Sequence, residues 1–256
     1  MLLLQLIYPL ALLLCLATGM LQLIIQPSIL RHYASREAIV LGAALLVFLA
    51  GVLSFAWLEL YFVGSGSVPL IREVFLSTVL MLLVCVVTWP GAKEADLSAV
   101  ERWSKRSCLA VLALTAGAFA WSLGYFQVIG WLVDFRELED GVVEAFLAGS
   151  WYAFTMMCFV ALTAAITEEV IFRGYLQGRL EGSFLGPWGA AILVAGLFAL
   201  GHGNYVEPWG LKELQVFILG LVFAFAKLKY GLLAAVLVHL GHNGISLAVQ
   251  AILLTF

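Results

Sequence analysis

The chain has 256 residues, 64% of them hydrophobic and only 11% charged, with a mean hydropathy of +1.07. Soluble domains carry about 25% charged residues, so this composition excludes an ordinary soluble protein and predicts a polytopic membrane protein whose first partner is the lipid bilayer. The formal net charge of −3 says little about partners, and no basic cluster suggests nucleic acid, which is not expected as a partner.

Crossing a hydrocarbon core of about 30 Å takes roughly 20 apolar residues at about 1.5 Å each. The first apolar run, Leu2 to Ile25, lacks a basic leading region and exceeds the roughly 7–15 residue core of a signal peptide. It is expected to be a transmembrane helix. Further spans are expected at 38–63, 70–89, 108–129, 150–180, 186–202, 212–228 and 230–253, about eight in all. Gln26-Pro27-Ser28, the 64–69 stretch, Pro90-Gly91, Gly182-Ser183 and Gly186-Pro187 punctuate them. The cysteines (Cys15, Cys85, Cys108 and Cys158) are scattered through apolar runs with no CxxC spacing, and read as small core residues. Trp89, Trp131, Trp151, Trp188 and Tyr230 near predicted span ends read as interfacial anchors.

Orientation follows from the lysines and arginines. Loops after spans 1, 3, 5 and 7 hold Arg31, Arg36, Lys93, Arg102, Lys105, Arg106, Arg173, Arg179, Lys227 and Lys229, against Arg72, Arg136 and Lys212 on the other side. The expected arrangement has cytoplasmic basic loops and both termini extracytoplasmic, in a plasma (inner) membrane. The division is 1–129 for accessory helices, 130–149 for an outer loop rich in Asp134, Glu137, Glu139, Asp140 and Glu144, and 150–256 for a core. Glu59 and Glu207, with Glu213 at a helix start and His32 in a loop, carry no special expectation.

Polar groups inside the predicted spans are few and expensive, which marks them as functional candidates. Glu168 and Glu169 are adjacent in span 5, and Arg173 follows Glu169 by four residues, the spacing of a helical ion pair. His202 closes Phe198-x-x-x-His202 in span 6. His239 and Asn243 share a helix face in span 8, with His242 beside them. Counted from the cytoplasmic ends, the glutamates lie about 17 Å deep, His202 about 24 Å and His239 about 13 Å. These groups can therefore meet near the middle of the bilayer. Span 6 is rich in small residues (Gly189, Ala190, Ala191, Ala195, Gly196, Ala199 and Gly201), which suits close helix packing.

A carboxylate beside an imidazole can take a proton from water, and a His and an Asn one turn apart can donate to a developing oxyanion. The same groups form a candidate zinc set of Glu168, His202 and His239 plus water. No HExxH is present.

The motifs Glu168-Glu169-x-x-x-Arg173, Phe198-x-x-x-His202 and His239-x-x-x-Asn243, in this order, resemble the signature of the CPBP family. This is the group of CAAX prenyl endopeptidases type II and bacteriocin-processing Abi proteins. The resemblance covers about residues 150–253 and implies an all-α fold with a four-helix catalytic core in the C-terminal half. It implies an intramembrane endopeptidase acting on a membrane-associated protein or peptide. The carried-over roles are Glu168 as the base that activates water, His202 as its assistant, Glu169 paired with Arg173, and His239 with Asn243 at the oxyanion. The expected mechanism is of the glutamate type, with no cofactor, and a zinc metalloendopeptidase is its alternative. A non-catalytic scaffold or immunity protein and a proton-coupled transporter are the rival readings.

Overall fold

The computed structural model describes residues 2–25, 80–89, 104–132, 151–202 and 210–255. The predicted span 38–63, the first part of 70–89 and the acidic 134–144 segment lie outside these residues, as do Glu59, Glu207 and His32. All regular structure among the described residues is helical, with no strand.

The helices are α1 (Leu2–Ile25), α2 (Leu80–Trp89), α3 (Lys105–Leu132), α4 (Trp151–Glu168), α5 (Gly186–Leu200), α6 (Leu211–Tyr230) and α7 (Leu232–Thr255). Two are long and apolar enough to cross a membrane over Lys105–Trp131 and Leu232–Val249. The outer faces are apolar. Leu13, Leu21 and Ile24 on α1, and Leu109, Leu112 and Leu123 on α3, are exposed. Of the aromatics expected at span ends, Trp131 and Trp188 are exposed, and Trp89 and Tyr230 pack partly buried against the core.

The helix containing α4 does not stop at Glu168. It continues as a π-helical stretch, Glu169–Gln177, and then an α-helical turn, Gly178–Glu181. The π stretch is buried on nearly every side, Leu176 being only partly covered. Val170, Ile171, Phe172 and Tyr175 belong to the main hydrophobic core with Val194, Phe198, Val216, Leu219, Phe223 and Val238. A segment buried all round cannot send its polar residues to solvent, so they must find partners inside.

Ser183 shapes the turn into α5. Its hydroxyl donates to the Leu180 carbonyl and accepts from the Leu185 amide, and Pro187 occupies the first turn of α5. Helix α6 starts at Gly210, whose amide donates to Glu213 Oε2 at 2.8 Å, so Glu213 is a cap at a helix start. Gly231, at φ 90°, is the sole residue between α6 and α7. This left-handed backbone lets the two helices turn without a loop.

Small residues set the packing. On α5, Ala190, Ala191, Ala195 and Ala199 are buried, and α5 lies along α6. A Cβ at Gly220 of α6 would stand 3.2 Å from Ala195 Cα and 3.2 Å from Arg173 Nη2. The N-terminal helices dock on this core. Helix α3 packs on α6 and α7, and α1 packs on α5 and the π stretch, where Tyr175 donates its hydroxyl to Thr18.

Candidate active site

The π stretch and its flanks carry a ladder of polar residues four apart: Glu169, Arg173, Gln177 and Glu181. Glu169 and Arg173 are wholly buried, with Arg173 Nη1 3.1 Å from Glu169 Oε1. Arg173 Nη2 also donates to the Gly220 carbonyl, at 3.3 Å. Its guanidinium carbon lies 4.2 Å from the centre of the Phe198 ring and 5.5 Å from that of Phe223. The aromatic faces supply an attraction for the cation where water is excluded. One turn on, Gln177 Nε2 and Lys227 Nζ both donate to Glu181 Oε1, at 2.9 and 2.6 Å.

Glu169 Oε1 has a second partner. His239 Nδ1 donates to it at 2.9 Å. The His239 ring stacks on Phe223, centroids 4.3 Å apart at 16°, and meets Phe198 edge-on. This contact fixes the ring plane and commits Nδ1. In the neutral ring Nε2 is then an acceptor, and it faces Glu168 Oε2 at 4.0 Å.

His202 arrives from α5 with the same chemistry. Its Nδ1 donates to the Phe198 carbonyl at 2.9 Å, and its ring lies 4.6 Å from the Phe198 ring. Its Nε2 is 3.9 Å from Glu168 Oε1. The Glu168 carboxylate is thus flanked by two imidazole Nε2 atoms, one on each oxygen. Both separations are too long for a direct hydrogen bond and match a gap bridged by one small molecule. The cluster opens at His202, whose side chain is 30% exposed while those of Glu168 and His239 are about 10% or less.

Glu168, Glu169, Arg173, His202 and His239 therefore meet, drawn from three segments. Asn243 takes different partners. Its Nδ2 donates to the Ala161 carbonyl at 3.0 Å, and its Oδ1 accepts from His242 Nδ1 at 3.2 Å.

The two histidines make the engagements typical of metal ligands, with Nδ1 held by a carbonyl or carboxylate and Nε2 turned inward. Among the described residues, however, no three His, Cys, Asp or Glu are placed to hold an ion. Glu168, His202 and His239 converge with each histidine Nε2 3.9–4.0 Å from a Glu168 oxygen.

Several members of the site carry no signal of their own in the sequence. Phe223 is an aromatic on an apolar helix like any other. Gln177 and Glu181 continue the four-residue spacing of Glu169 and Arg173 but drew no expectation from the sequence, and Lys227, which reaches Glu181 from α6, was expected only as a loop charge. The second partner of Glu169 was not legible, because it depends on how α7 is rotated.

Residues 149–245 match the family model described as "Type II CAAX prenyl endopeptidase Rce1-like". The match contains all three motifs, and the family is the one that they resemble. Neither a curated protein nor a solved structure matches the chain.

Proposed function

We propose that this chain, with its Rce1-like segment at 149–245, is a membrane-embedded endopeptidase of the CAAX type that hydrolyses a peptide bond through water activated by Glu168. The observation that carries this reading is the pair of imidazole Nε2 atoms, 3.9 and 4.0 Å from the two oxygens of one buried carboxylate. A water in that gap donates one hydrogen to Glu168 and is oriented by His202. Glu168 takes the proton as the water oxygen attacks the scissile carbonyl carbon. It returns the proton to the departing amine nitrogen when the tetrahedral intermediate collapses.

Asn243 stabilises the oxyanion through the second N–H of Nδ2, and His239 does so through Nε2 when that atom carries a proton. Glu169 and Arg173 hold the His239 ring in place. The substrate is a membrane-associated protein or peptide that reaches Glu168 through the opening at His202.

A zinc-dependent form of the same reaction is the second reading, favoured by the Nδ1 engagements of His202 and His239. In that form Glu168, His202 and His239 would hold the ion, which would supply Lewis-acid activation of the water.

One assay separates these readings. Purified protein in lipid nanodiscs is given a farnesylated CAAX peptide with a fluorophore and quencher across the scissile bond. Glu168→Gln should lower kcat by roughly 10²–10⁴-fold with an unchanged melting profile, and a chelator should leave the wild-type rate unaltered. Absence of cleavage by the wild-type protein would sink the peptidase reading and favour a scaffold or a proton-coupled transporter, and cleavage by Glu168→Gln at the wild-type rate would remove Glu168 as the base. Chelator inhibition reversed by zinc would replace the glutamate mechanism with the metal one.

A further inference from the structure

Beyond the motifs lies a second buried polar cluster. Ser122 of α3, Gln215 of α6 and His242 of α7 are all buried. Gln215 Nε2 donates to Ser122 Oγ at 3.0 Å, and Ser122 Oγ lies 2.9 Å from His242 Nε2. His242 Nδ1 lies 3.2 Å from Asn243 Oδ1, and Asn243 Nδ2 reaches the Ala161 carbonyl. At the other end Lys212 Nζ donates to Gln215 Oε1 at 2.8 Å.

The direction of every hydrogen bond in this chain is fixed by its ends. An ammonium can only donate, so Gln215 turns its oxygen to Lys212 and its nitrogen to Ser122. Ser122 accepts there and has one hydrogen, which goes on to His242 Nε2. Nδ1 then carries the His242 proton and gives it to Asn243 Oδ1. The Ala161 carbonyl can only accept, which places Asn243 Nδ2 beside it. No member can reverse without leaving two donors or two acceptors face to face in a buried site.

Helix α3 is seated for this purpose. A Cβ at Gly241, next to His242, would stand 2.6 Å from Thr115 Cγ2, so only glycine lets α3 lie this close to α7. Trp121 and Tyr125 donate to the backbone carbonyls of Gln215 and Leu211, clamping the same face of α3 to α6.

We propose that Lys212, Gln215, Ser122 and His242 form a one-way hydrogen-bond relay that positions the Asn243 carboxamide, and that α3 is therefore part of the active site. Ser122 lies outside the 149–245 segment that the family model matches. The four are positioning residues. They keep Oδ1 of Asn243 occupied and turn the remaining N–H of Nδ2 toward the reacting carbonyl. The oxyanion role rests on the peptidase reading above. The relay itself does not.

The test pairs ¹⁵N NMR of histidine- and asparagine-labelled protein in bicelles with the farnesylated-peptide assay. The chain has four histidines, so His242→Gln assigns the His242 signal by its loss. Wild-type His242 should show a protonated Nδ1 and an unprotonated, hydrogen-bonded Nε2. Ser122→Ala, and Lys212→Met more weakly, should move the His242 Nε2 and Asn243 amide signals. Ser122→Ala should also lower kcat roughly 10- to 100-fold at similar KM, and Ser122→Thr, which keeps the hydroxyl, should recover both.

If the His242 and Asn243 signals are the same in Ser122→Ala as in wild type, the relay is wrong. If they move while kcat holds, the positioning role is wrong. If wild-type protein cleaves nothing, the peptidase reading fails, and the NMR signals still decide whether the relay exists.

Discussion

Glu169 and Glu168 are neighbours in sequence with opposite environments. Glu169 Oε1 receives Arg173 at 3.1 Å and His239 at 2.9 Å, and it has no exposed surface. Glu168 meets no direct donor at hydrogen-bond distance among its histidines and faces the opening at His202. Removing one member of a buried ion pair leaves an uncompensated charge, at a cost of about 3–5 kcal/mol. Arg173→Met should therefore lower the melting temperature strongly, and Glu169→Gln should do so as well. The double variant should lose less than the sum of the two. Thermal unfolding in detergent measures this cycle, and strictly additive losses would show that the pair is not coupled.

Two glycines at the element scale have opposite expectations, although both lie within helices. Gly220 abuts Ala195 and Arg173, and a methyl there would stand 3.1 Å from Ala195 Cβ and 3.2 Å from its Cα. Helix α6 would have to move away from α5, and Arg173 would lose its seat. Overpacking of this kind costs about 1–3 kcal/mol. At Gly196 an added Cβ meets no described atom within 4 Å. Alanine there gains helix propensity worth about 0.5–1 kcal/mol. Gly220→Ala should lower the melting temperature and Gly196→Ala should hold or raise it. Equal shifts would count against the close approach of α5, α6 and Arg173.

Of the charges used to orient the whole molecule, Arg173 and Lys227 prove to be internal, buried against Glu169 and Glu181. Without them the basic residues divide eight to three and still favour cytoplasmic loops after spans 1, 3, 5 and 7. The expected topology keeps both termini outside. A single cysteine introduced by Ser98→Cys, with Cys15, Cys85, Cys108 and Cys158 replaced, should react with an impermeant maleimide only after the membrane is opened. Labelling of intact cells would invert the topology and turn the opening at His202 toward the other face.

Composition alone predicted apolar helices, since a backbone in hydrocarbon must satisfy its own hydrogen bonds, and the regular structure of the described residues is helical. Local spacing determined the Glu169–Arg173 pair, because residues four apart meet whatever the rest of the chain does. That Glu168, His202 and His239 can meet was also legible, as helix rise is constant, and both imidazoles lie 3.9–4.0 Å from Glu168. What the tertiary structure decided is which atoms face which. Helices apolar on all sides carry no stripe from which their rotation can be read. So the bond from His239 to Glu169, the Phe223 stack, the π-helical turn and the contribution of Ser122 from α3 depend on how neighbouring helices are packed. Asn243 shows the difference most plainly: its place one turn after His239 follows from the sequence, and its partners, Ala161 and His242, follow only from the fold.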